Sequence, residues 1–470
     1  MYHRIACWYP NAHWHTFREG CHAYPLRIGR FEYHRSYEYI GIASSLLYYP
    51  FWRLWNSQGS EYLLGIICLA AFSFGMVRAL RVPVWSTLIA FGYFPIVAMV
   101  IHDTGPIRLA LLSVPALAWI ARRAAMTESW ALRLGYAVAA AACVVVCLED
   151  KAFYAQLTPL IGACVAACLW HSDSEWSVGM KRRFAAWVGV AGVLCAAGSA
   201  VLLTARSGGH RYWSDLTATS STIRRSIGFE LSESLLYTAL VPRFGNRMFV
   251  SGPMIRLTMV AWVAGAAVFV ACAWRTRVVN RRAAVLFLGA YAVGVITFVA
   301  SRMPASPHHF VFLHVPLLAL LMVAGAGSGP AFARVMTFVG LSTLSAIALL
   351  SESPVAAPAA RERAAMFAYL SRPDVAPHYV VNFSSWGGYY PQSLYGDRQQ
   401  IVTFIAPANA SDAARLVDIA KATSRDILDV CLDCDRAPIA EFLGPADIAA
   451  VNLGLTQWNV FRIAVARASQ

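Results

Sequence analysis

Apolar residues recur along this chain in runs about as long as a membrane-spanning helix requires. The runs are rich in alanine, leucine and valine and are separated by polar stretches. A helix needs about 20 apolar residues to cross a hydrocarbon core of about 30 Å, and only helices and closed barrels satisfy their backbone polar groups in lipid. The pattern predicts about ten transmembrane helices, near residues 61–77, 84–101, 107–121, 134–148, 153–170, 184–204, 256–274, 283–300, 309–326 and 331–350.

Lysine and arginine are distributed unequally over the loops that join these segments. One alternate set of loops carries most of them, namely Arg78, Arg81, Arg122, Arg123, Arg133, Lys181, Arg182, Arg183, Arg275, Arg277, Arg281, Arg282 and Arg334. The other set carries only Arg108, Lys151 and Arg302. The positive-inside rule therefore places the first set in the cytoplasm and the second set on the exported face.

This orientation predicts three regions, an exported N-terminal segment (1–60), a transmembrane domain (61–350) and an exported C-terminal domain (351–470). The long segment 205–255 would also be exported. No apolar run or signal peptide precedes the N-terminal segment. We favour a missing first helix, which would make the segment a remnant of the first exported loop, over a tail that is translocated by itself.

The first 35 residues hold many candidate metal ligands. They include five of the 12 histidines and two cysteines, namely His3, His13, His15, His22, His34, Cys7 and Cys21. His13-x-His15 and Cys21-His22 make a metal site conceivable, but their spacing is irregular. We expect instead a leader without regular order, or one that is not native to the protein.

The C-terminal region changes in character and predicts a small α/β domain. "HYVVNF" (378–383), "QQIVTFI" (399–405) and "TQWNVFRIAVA" (456–466) are rich in the residues that favour strands. "SDAARLVDIAKAT" (411–423) has an N-cap candidate and helical spacing. Cys431 and Cys434 form one C-x-x-C, which without a second pair is weak evidence for zinc. In an exported domain we expect them to be a local disulfide or two free thiols.

Composition agrees with a helical polytopic membrane protein. The chain is 58% hydrophobic and 14% charged, with a mean hydropathy of +0.52, whereas soluble domains carry about 25% charged residues. The net charge of +14 is explained by the cytoplasmic lysines and arginines, so no nucleic-acid partner is expected. The sequence lacks G-x-S-x-G, P-loop and H-E-x-x-H motifs, which argues against common hydrolases, nucleotide-binding proteins and zinc proteases.

Ionisable residues gather in the loops that are predicted to be exported. Arg302, His308 and His309 precede a span that also begins with His314, and Asp150 and Lys151 stand between two apolar runs. Such groups contact a substrate or satisfy one another at the interface. In "HDTGPIR" (102–108), Asp103 is either a helix N-cap or an acid in an exported cavity.

Several of these stretches resemble one family, the bacterial GT-C-type membrane glycosyltransferases related to protein mannosyltransferases and aminoarabinose transferases. The similar stretches are "YEYIGIASSLLYYPFWRLWNSQGSEYLLGI", "HDTGPIRLALL", "CLEDKAFYAQLTPLI", "PHHFVFLHVPLLALL" and "FSSWGGYYPQSLYG". Together they cover roughly residues 37–465. Each is short and degenerate, so the resemblance is to the superfamily.

The resemblance implies transfer of a sugar from a polyprenyl-phosphate donor to a lipid, glycan or protein acceptor on the exported face of the bacterial inner membrane. An acid acts as base on the acceptor hydroxyl, and cations stabilise the departing phosphate. Carried over, the phosphate would be contacted by Lys151, Arg302, His308 and His309. Asp150 would orient Lys151.

The catalytic acid is the point of departure from the family pattern. In the family it follows the first helix, and only Glu19, Glu32 and Glu38 precede Glu61 here. Asp103, on the acceptor side, and Glu32 are the candidates. The resemblance implies no cofactor, and the sequence does not decide whether a divalent metal takes part.

Two other functions compete with this one. The first is a transporter or flippase for a lipid-linked or anionic solute, which would need polar or broken helices in the middle of the membrane. The second is a truncated scaffold without catalytic activity, which would lack the acid.

Overall fold

The structure is a computed structural model in which helices dominate as far as residue 342 and a sheet follows. The described residues are 24–28, 31–35, 43–54, 58–102, 107–150, 154–172, 176–206, 281–301, 311–342, 365, 368–370, 372–375, 377–384, 401–405, 417–418, 420–432, 437, 440, 447–454 and 458–464. The predicted span at 256–274 and the segment 205–255, apart from the end of one helix, lie outside them.

The helices follow one another in chain order with short connections. They are α1 (Ala43–Leu54), α2 (Gln58–Leu80), α3 (Thr87–Gly92), α4 (Phe94–His102), α5 (Arg108–Met126), α6 (Trp130–Asp150), α7 (Tyr154–Ser172), α8 (Val178–Arg206), α9 (Arg281–Ser301), α10 (His314–Ser328) and α11 (residues 330–342). Turns of 3-10 helix at Val84–Ser86 and Val311–Leu313 precede α3 and α10.

Six helices in the described ranges are long and apolar enough to cross a membrane. The apolar stretches are Tyr62–Leu80, Arg108–Met126, Trp130–Asp150, Val178–Val201, Arg281–Phe298 and Val311–Ser328. Each overlaps a segment predicted from the sequence, which agrees with a polytopic helical protein. The helix α7 has 19 residues, with Gln156, Thr158 and Pro159 near its start, and is not among these six. The full set of ten spans stays a prediction.

The predicted span at 84–101 is not one straight helix. The stretches Val84–Gly92 and Pro95–Ile101 are bent by 76° against each other, which is the geometry of a broken span or of a re-entrant loop. The chain leaves helical geometry at Tyr93, whose ψ is 80°. Pro95 explains why one helix does not run through this point, because proline lacks an N–H and its ring would clash with the carbonyl of Phe91 in a continuous helix.

Two glycines hold this bent segment against α11. A Cβ atom on Gly92 would lie 2.6 Å from the carbonyl oxygen of Met336, and one on Gly340 would collide with the backbone of Gly92. The Thr337 hydroxyl donates to the Leu88 carbonyl oxygen at 2.5 Å. The backbones of α3 and α11 therefore meet at a distance that only glycine permits at these positions.

Buried arginines at the two ends of α5 bind the ends of other helices. Arg108, 1% exposed, donates through Nε to the Val100 carbonyl oxygen at 2.9 Å in the last turn of α4. Arg122, 8% exposed, donates to the Arg78 and Ala79 carbonyl oxygens at 3.1 and 2.8 Å in the last turn of α2. The last carbonyls of a helix have no partner in their own helix, and a cation there also favours the helix dipole. The interpretation of Arg108 and Arg122 as loop residues was therefore wrong.

The N-terminal segment contains a hairpin that the sequence did not predict. Strands β1 (Tyr24–Ile28) and β2 (Phe31–Arg35) pair antiparallel, with Glu32 opposite Arg27. The expectation of a leader without regular order was wrong over these two strands. The histidines and cysteines before Tyr24 lie outside the described residues.

The C-terminal region forms a mixed five-stranded sheet, in agreement with the predicted α/β domain. Its strands are β3 (Tyr379–Ser384), β4 (Ile401–Ile405), β5 (Ile427–Leu432), β6 (Asp447–Val451) and β7 (Trp458–Ala464), in the order β4-β3-β5-β7-β6. β3 is parallel to β4 and β5, whereas β7 is antiparallel to β5 and β6. The sequence predicted β3, β4 and β7 but not β5 or β6.

A polar cluster joins the residues just before β3 and β5 to the neighbouring strand β7. Asp426 accepts from Arg462 Nη2 at 2.7 Å, and its backbone N–H donates to His378 Nδ1 at 3.3 Å. Burial is the largest influence on His378 and lowers its pKa, while the negative charge of Asp426 acts in the opposite direction. The neutral imidazole therefore serves as an acceptor that fixes the loop before β3.

Because Arg122 caps the end of α2, its replacement should lower the stability of the protein. Replacement of the exposed Arg123 should not. Arg122→Met should lower the free energy of unfolding by about 3 kcal/mol, because two buried carbonyls lose a charged donor. Arg123→Met is the matched control, since Arg123 is exposed and lies over Trp119. Denaturant unfolding of the detergent-solubilised protein measures both values, and equal losses would contradict the cap.

Candidate functional site

The candidate site is the exported end of the helical bundle as predicted from the sequence. Of the predicted site residues, the structure describes the side chain of Asp150 and the backbone of Glu32. The other five lie outside the described residues, namely Asp103, Lys151, Arg302, His308 and His309. The described helix ends that flank them define where these loops begin and end.

Asp150 is the last residue of α6 and is fully buried. Its Oδ1 accepts from the Ser44 backbone N–H at 2.8 Å, and its Oδ2 accepts from the Ser44 hydroxyl at 2.5 Å. Ser44 lies in the first turn of α1, where backbone N–H groups lack partners within their own helix. The carboxylate thus caps α1 from another helix, and its charge favours the positive end of the α1 dipole. The sequence suggested only that Asp150 orients Lys151.

The loop that contains Lys151 and the loop that contains His308 and His309 join neighbouring points of the bundle. Tyr154 at the start of α7 and Phe312 in the turn before α10 form an edge-to-face ring pair with centroids 5.9 Å apart. Both side chains are buried. Aromatic pairs of this geometry add a stabilising contact beyond the area they bury. The flanks of the two cationic loops are therefore held together.

The loop that contains Asp103 joins the same end of the bundle. Arg108, which follows it, binds the last turn of α4, which precedes it. Cys147 Sγ in the last turn of α6 lies 3.7 Å from the Leu109 carbonyl oxygen. A Cβ on Gly65 of α2 would meet the Ile101 backbone at 2.8 Å, so α2 also approaches this point closely. The start of α5 is therefore packed beside the end of α6, where Asp150 lies.

A buried polar pair lies at the bend between α3 and α4. The sequence analysis named one of its members, His314, and missed the other, Tyr93. The Tyr93 hydroxyl oxygen lies 2.7 Å from His314 Nδ1, and the two side chains are 2% and 1% exposed. The sequence suggested His314 together with His308 and His309, but it gave no partner. The available signal was Tyr93 itself, a polar residue between Gly92 and Pro95, two residue types that interrupt helices.

Metal ligands do not cluster in the described parts of the chain, where no group of three or more His, Cys, Asp or Glu side chains meets. The residues of the conceivable N-terminal metal site lie outside those parts. Six cysteines in the described helices are free thiols, namely Cys68, Cys143, Cys147, Cys164, Cys168 and Cys195. Cys431, at the end of β5, is disulfide-bonded.

The fold defines a class of protein, a polytopic helical membrane protein with a small sheet after its helices. Two crystal structures of ArnT from Cupriavidus metallidurans, a GT-C aminoarabinose transferase, are similar to this chain, each at 14% sequence identity over 100% of this chain and 94% of theirs. The TM-score is 0.52 for the apo state and 0.44 for the structure bound to undecaprenyl phosphate. No protein-family model and no curated protein matches the sequence. The predicted resemblance to GT-C enzymes is confirmed at the level of the fold.

The cap between Asp150 and Ser44 predicts a graded effect of substitution. Asp150→Asn should lower the free energy of unfolding by about 3 kcal/mol, because the charged acceptor is lost and an amide nitrogen replaces one of the two oxygens that accept from Ser44. Ser44→Ala should cost about 1 kcal/mol, because the backbone N–H bond survives. Thermal unfolding in detergent measures both.

Ser73→Ala is the matched control for these two variants. Ser73 is fully buried, but its hydroxyl donates to the Leu69 carbonyl oxygen of its own helix at 2.7 Å. Its removal should therefore change stability by less than about 0.5 kcal/mol. A cost for Ser44→Ala as small as that of Ser73→Ala would contradict the cap.

Proposed function

We propose that this protein is a glycosyltransferase that moves a sugar from a polyprenyl-phosphate donor to an acceptor on the exported face of the membrane. The observation that carries the proposal is the fold shared with ArnT over the full length of the chain. ArnT itself has been crystallised with undecaprenyl phosphate. A polyprenyl phosphate is therefore the first lipid to test.

The chemistry divides between cations and a base. The bond between the anomeric carbon of the sugar and a phosphate oxygen breaks, and the phosphate departs with the electron pair. Lys151, Arg302, His308 and His309 stabilise the charge that develops there. The acceptor oxygen forms the new bond to the anomeric carbon, and its proton passes to a carboxylate, for which Asp103 and Glu32 are the candidates.

The packing of the flanking helices supports convergence of the two cationic loops. Tyr154 is three residues after Lys151 and contacts Phe312, which is three residues after His309. Because the residues that follow the two loops are in contact, cationic side chains from both loops could bind the same phosphate. Asp150 supports the same region by tying α1 to the end of α6.

The disulfide at Cys431 supports an exported C-terminal domain. Structural disulfides persist in oxidising compartments such as the periplasm and are rare in the bacterial cytosol. Cys431 lies in the predicted C-x-x-C with Cys434, which makes a local pair the simplest partner choice. We therefore place the C-terminal domain outside the inner membrane of a bacterium, as the arginine distribution also indicates.

The transporter or flippase remains the second candidate because one observation favours it. The sequence offered no broken helix, but the structure has a break at Tyr93 with a polar pair inside the bundle. Broken spans with polar groups are typical of transporter binding sites. Lipid-linked sugar that crosses the membrane of a proteoliposome without any sugar transfer would favour this function over the transferase.

A transfer assay tests the cationic site directly. Purified protein in lipid, given a radiolabelled polyprenyl-phosphate sugar and membrane acceptors, should form labelled product. Lys151→Ala and His308→Ala should each lower kcat by about 10²-fold or more, the usual cost of removing a group that stabilises developing charge. Lys181→Ala, at an exposed position on the predicted cytoplasmic side, is the matched control and should keep full activity. Unchanged rates in both loop variants would exclude the assigned site.

Cysteine labelling tests the orientation of the chain. Lys421→Cys, at an exposed position in the C-terminal domain, should react with a membrane-impermeant maleimide in intact spheroplasts. Lys181→Cys is equally exposed and should react only after lysis, because the arginine distribution places it in the cytoplasm. Labelling of the opposite pattern would reverse the assigned orientation and remove the exported site.

A further inference from the structure

The bent segment formed by α3 and α4 has one polar side chain at its break, and that side chain is paired. Tyr93 connects α3 to α4, and its hydroxyl oxygen lies 2.7 Å from Nδ1 of His314. The rings are tilted by 60° with centroids 5.7 Å apart. Either the hydroxyl donates to Nδ1, or a protonated Nδ1 donates to the hydroxyl oxygen.

Both polar groups of this hydrogen bond are buried, so each needs a partner. Tyr93 belongs to the large hydrophobic core of the bundle, and among its core neighbours a phenylalanine ring would fill nearly the same volume. A hydroxyl and an imidazole removed from water are costly unless they bond to a partner, and ionisable groups within spans are functional candidates by default. The hydroxyl and the imidazole are therefore best explained by what their bond holds in place.

The bond joins the break to the beginning of α10. His314 is the first residue of α10 and follows the Val311–Leu313 turn. Phe312 in that turn packs on Tyr154 at the start of α7. Two buried contacts, Tyr93 with His314 and Phe312 with Tyr154, are thus joined by the backbone of the turn from Phe312 to His314.

The other side of the break is also fixed. Gly92 is in backbone contact with α11, and Leu88 accepts from Thr337. The bend therefore starts from a firmly held helix, and the Tyr93 hydroxyl has a defined position relative to α11. His314 is tied by its hydrogen bond to that fixed point.

We propose that Tyr93 and His314 are positioning residues for the phosphate-binding site. Their hydrogen bond sets the start of α10, and through the contact between Phe312 and Tyr154 it sets the start of α7. The loops that carry His308, His309 and Lys151 begin or end at these two points. The proposal rests on the proposed function and adds to it the residues that align its cations.

Four variants separate the hydrogen bond from the bulk of the side chains. Tyr93→Phe removes only the hydroxyl. His314→Asn keeps a hydrogen-bonding group near the position of Nδ1, whereas His314→Gln carries it nearer to that of Nε2, and His314→Leu has none. The full-length protein in lipid is used throughout, with its melting temperature recorded for each variant.

The readouts are the KM for the donor, kcat, and the Kd for undecaprenyl phosphate measured by native mass spectrometry. Tyr93→Phe, His314→Gln and His314→Leu should raise KM and Kd about tenfold, the usual consequence of losing one buried hydrogen bond. His314→Asn should stay within about threefold of wild type because it retains that bond. A residue with only a structural role would lower the melting temperature without changing KM or Kd in the protein that remains folded.

The outcomes distinguish the two proposals. If wild type binds undecaprenyl phosphate and transfers sugar, but Tyr93→Phe and His314→Gln keep wild-type KM and Kd, the positioning role alone is overturned. The positioning role is also overturned if, in all four variants, the loss of binding and activity is explained by the fall in melting temperature alone. If wild type neither binds undecaprenyl phosphate nor transfers sugar, the proposed function fails and the positioning role fails with it.

Discussion

The bundle depends on pairing the unsatisfied ends of helices with charged side chains from other helices. In lipid or in a dry core no water can bond the last carbonyls and first N–H groups of a helix, so each end needs a protein partner. Arg108 and Arg122 supply donors to α4 and α2, and Asp150 supplies acceptors to α1. Because Arg108 and Arg122 belong to one helix, α5 fixes its neighbours at both ends of the bundle.

The helix-end bonds of Arg108 and Asp150 also fix the helix ends beside the proposed site. Arg108 and Asp150 are committed to helix ends, yet each lies next to a loop with candidate catalytic residues. The same charges that close the helix termini therefore hold the described helix ends on either side of the proposed loops. The contact between Tyr154 and Phe312 does the same on the side of the histidines. Such preorganisation is what a site needs to stabilise charge without rearranging.

The sequence predicted those features that depend on local composition. Apolar runs located the six candidate spans, and β-branched residues located β3, β4 and β7. The pattern missed features that depend on partners far along the chain. Apolar periodicity does not record a change of direction, so the bend at Tyr93 was lost. Arg108 and Arg122 looked like loop charges because their partners belong to other helices, and Ser44 is 106 residues from Asp150. For the loops with the predicted site residues, the structure describes only the helix ends on either side, so only these can be compared with the prediction.

The contact between Gly92 and Gly340 restricts the route by which a lipid reaches the interior of the protein. A long isoprenoid chain needs a lateral opening between two helices that is at least as wide as the chain. Backbones that touch leave no such opening, and the hydrogen bond from Thr337 closes the turn below it. For the proposed polyprenyl-phosphate donor, this contact closes the gap between α3 and α11 as a lateral entrance at the level of Gly92.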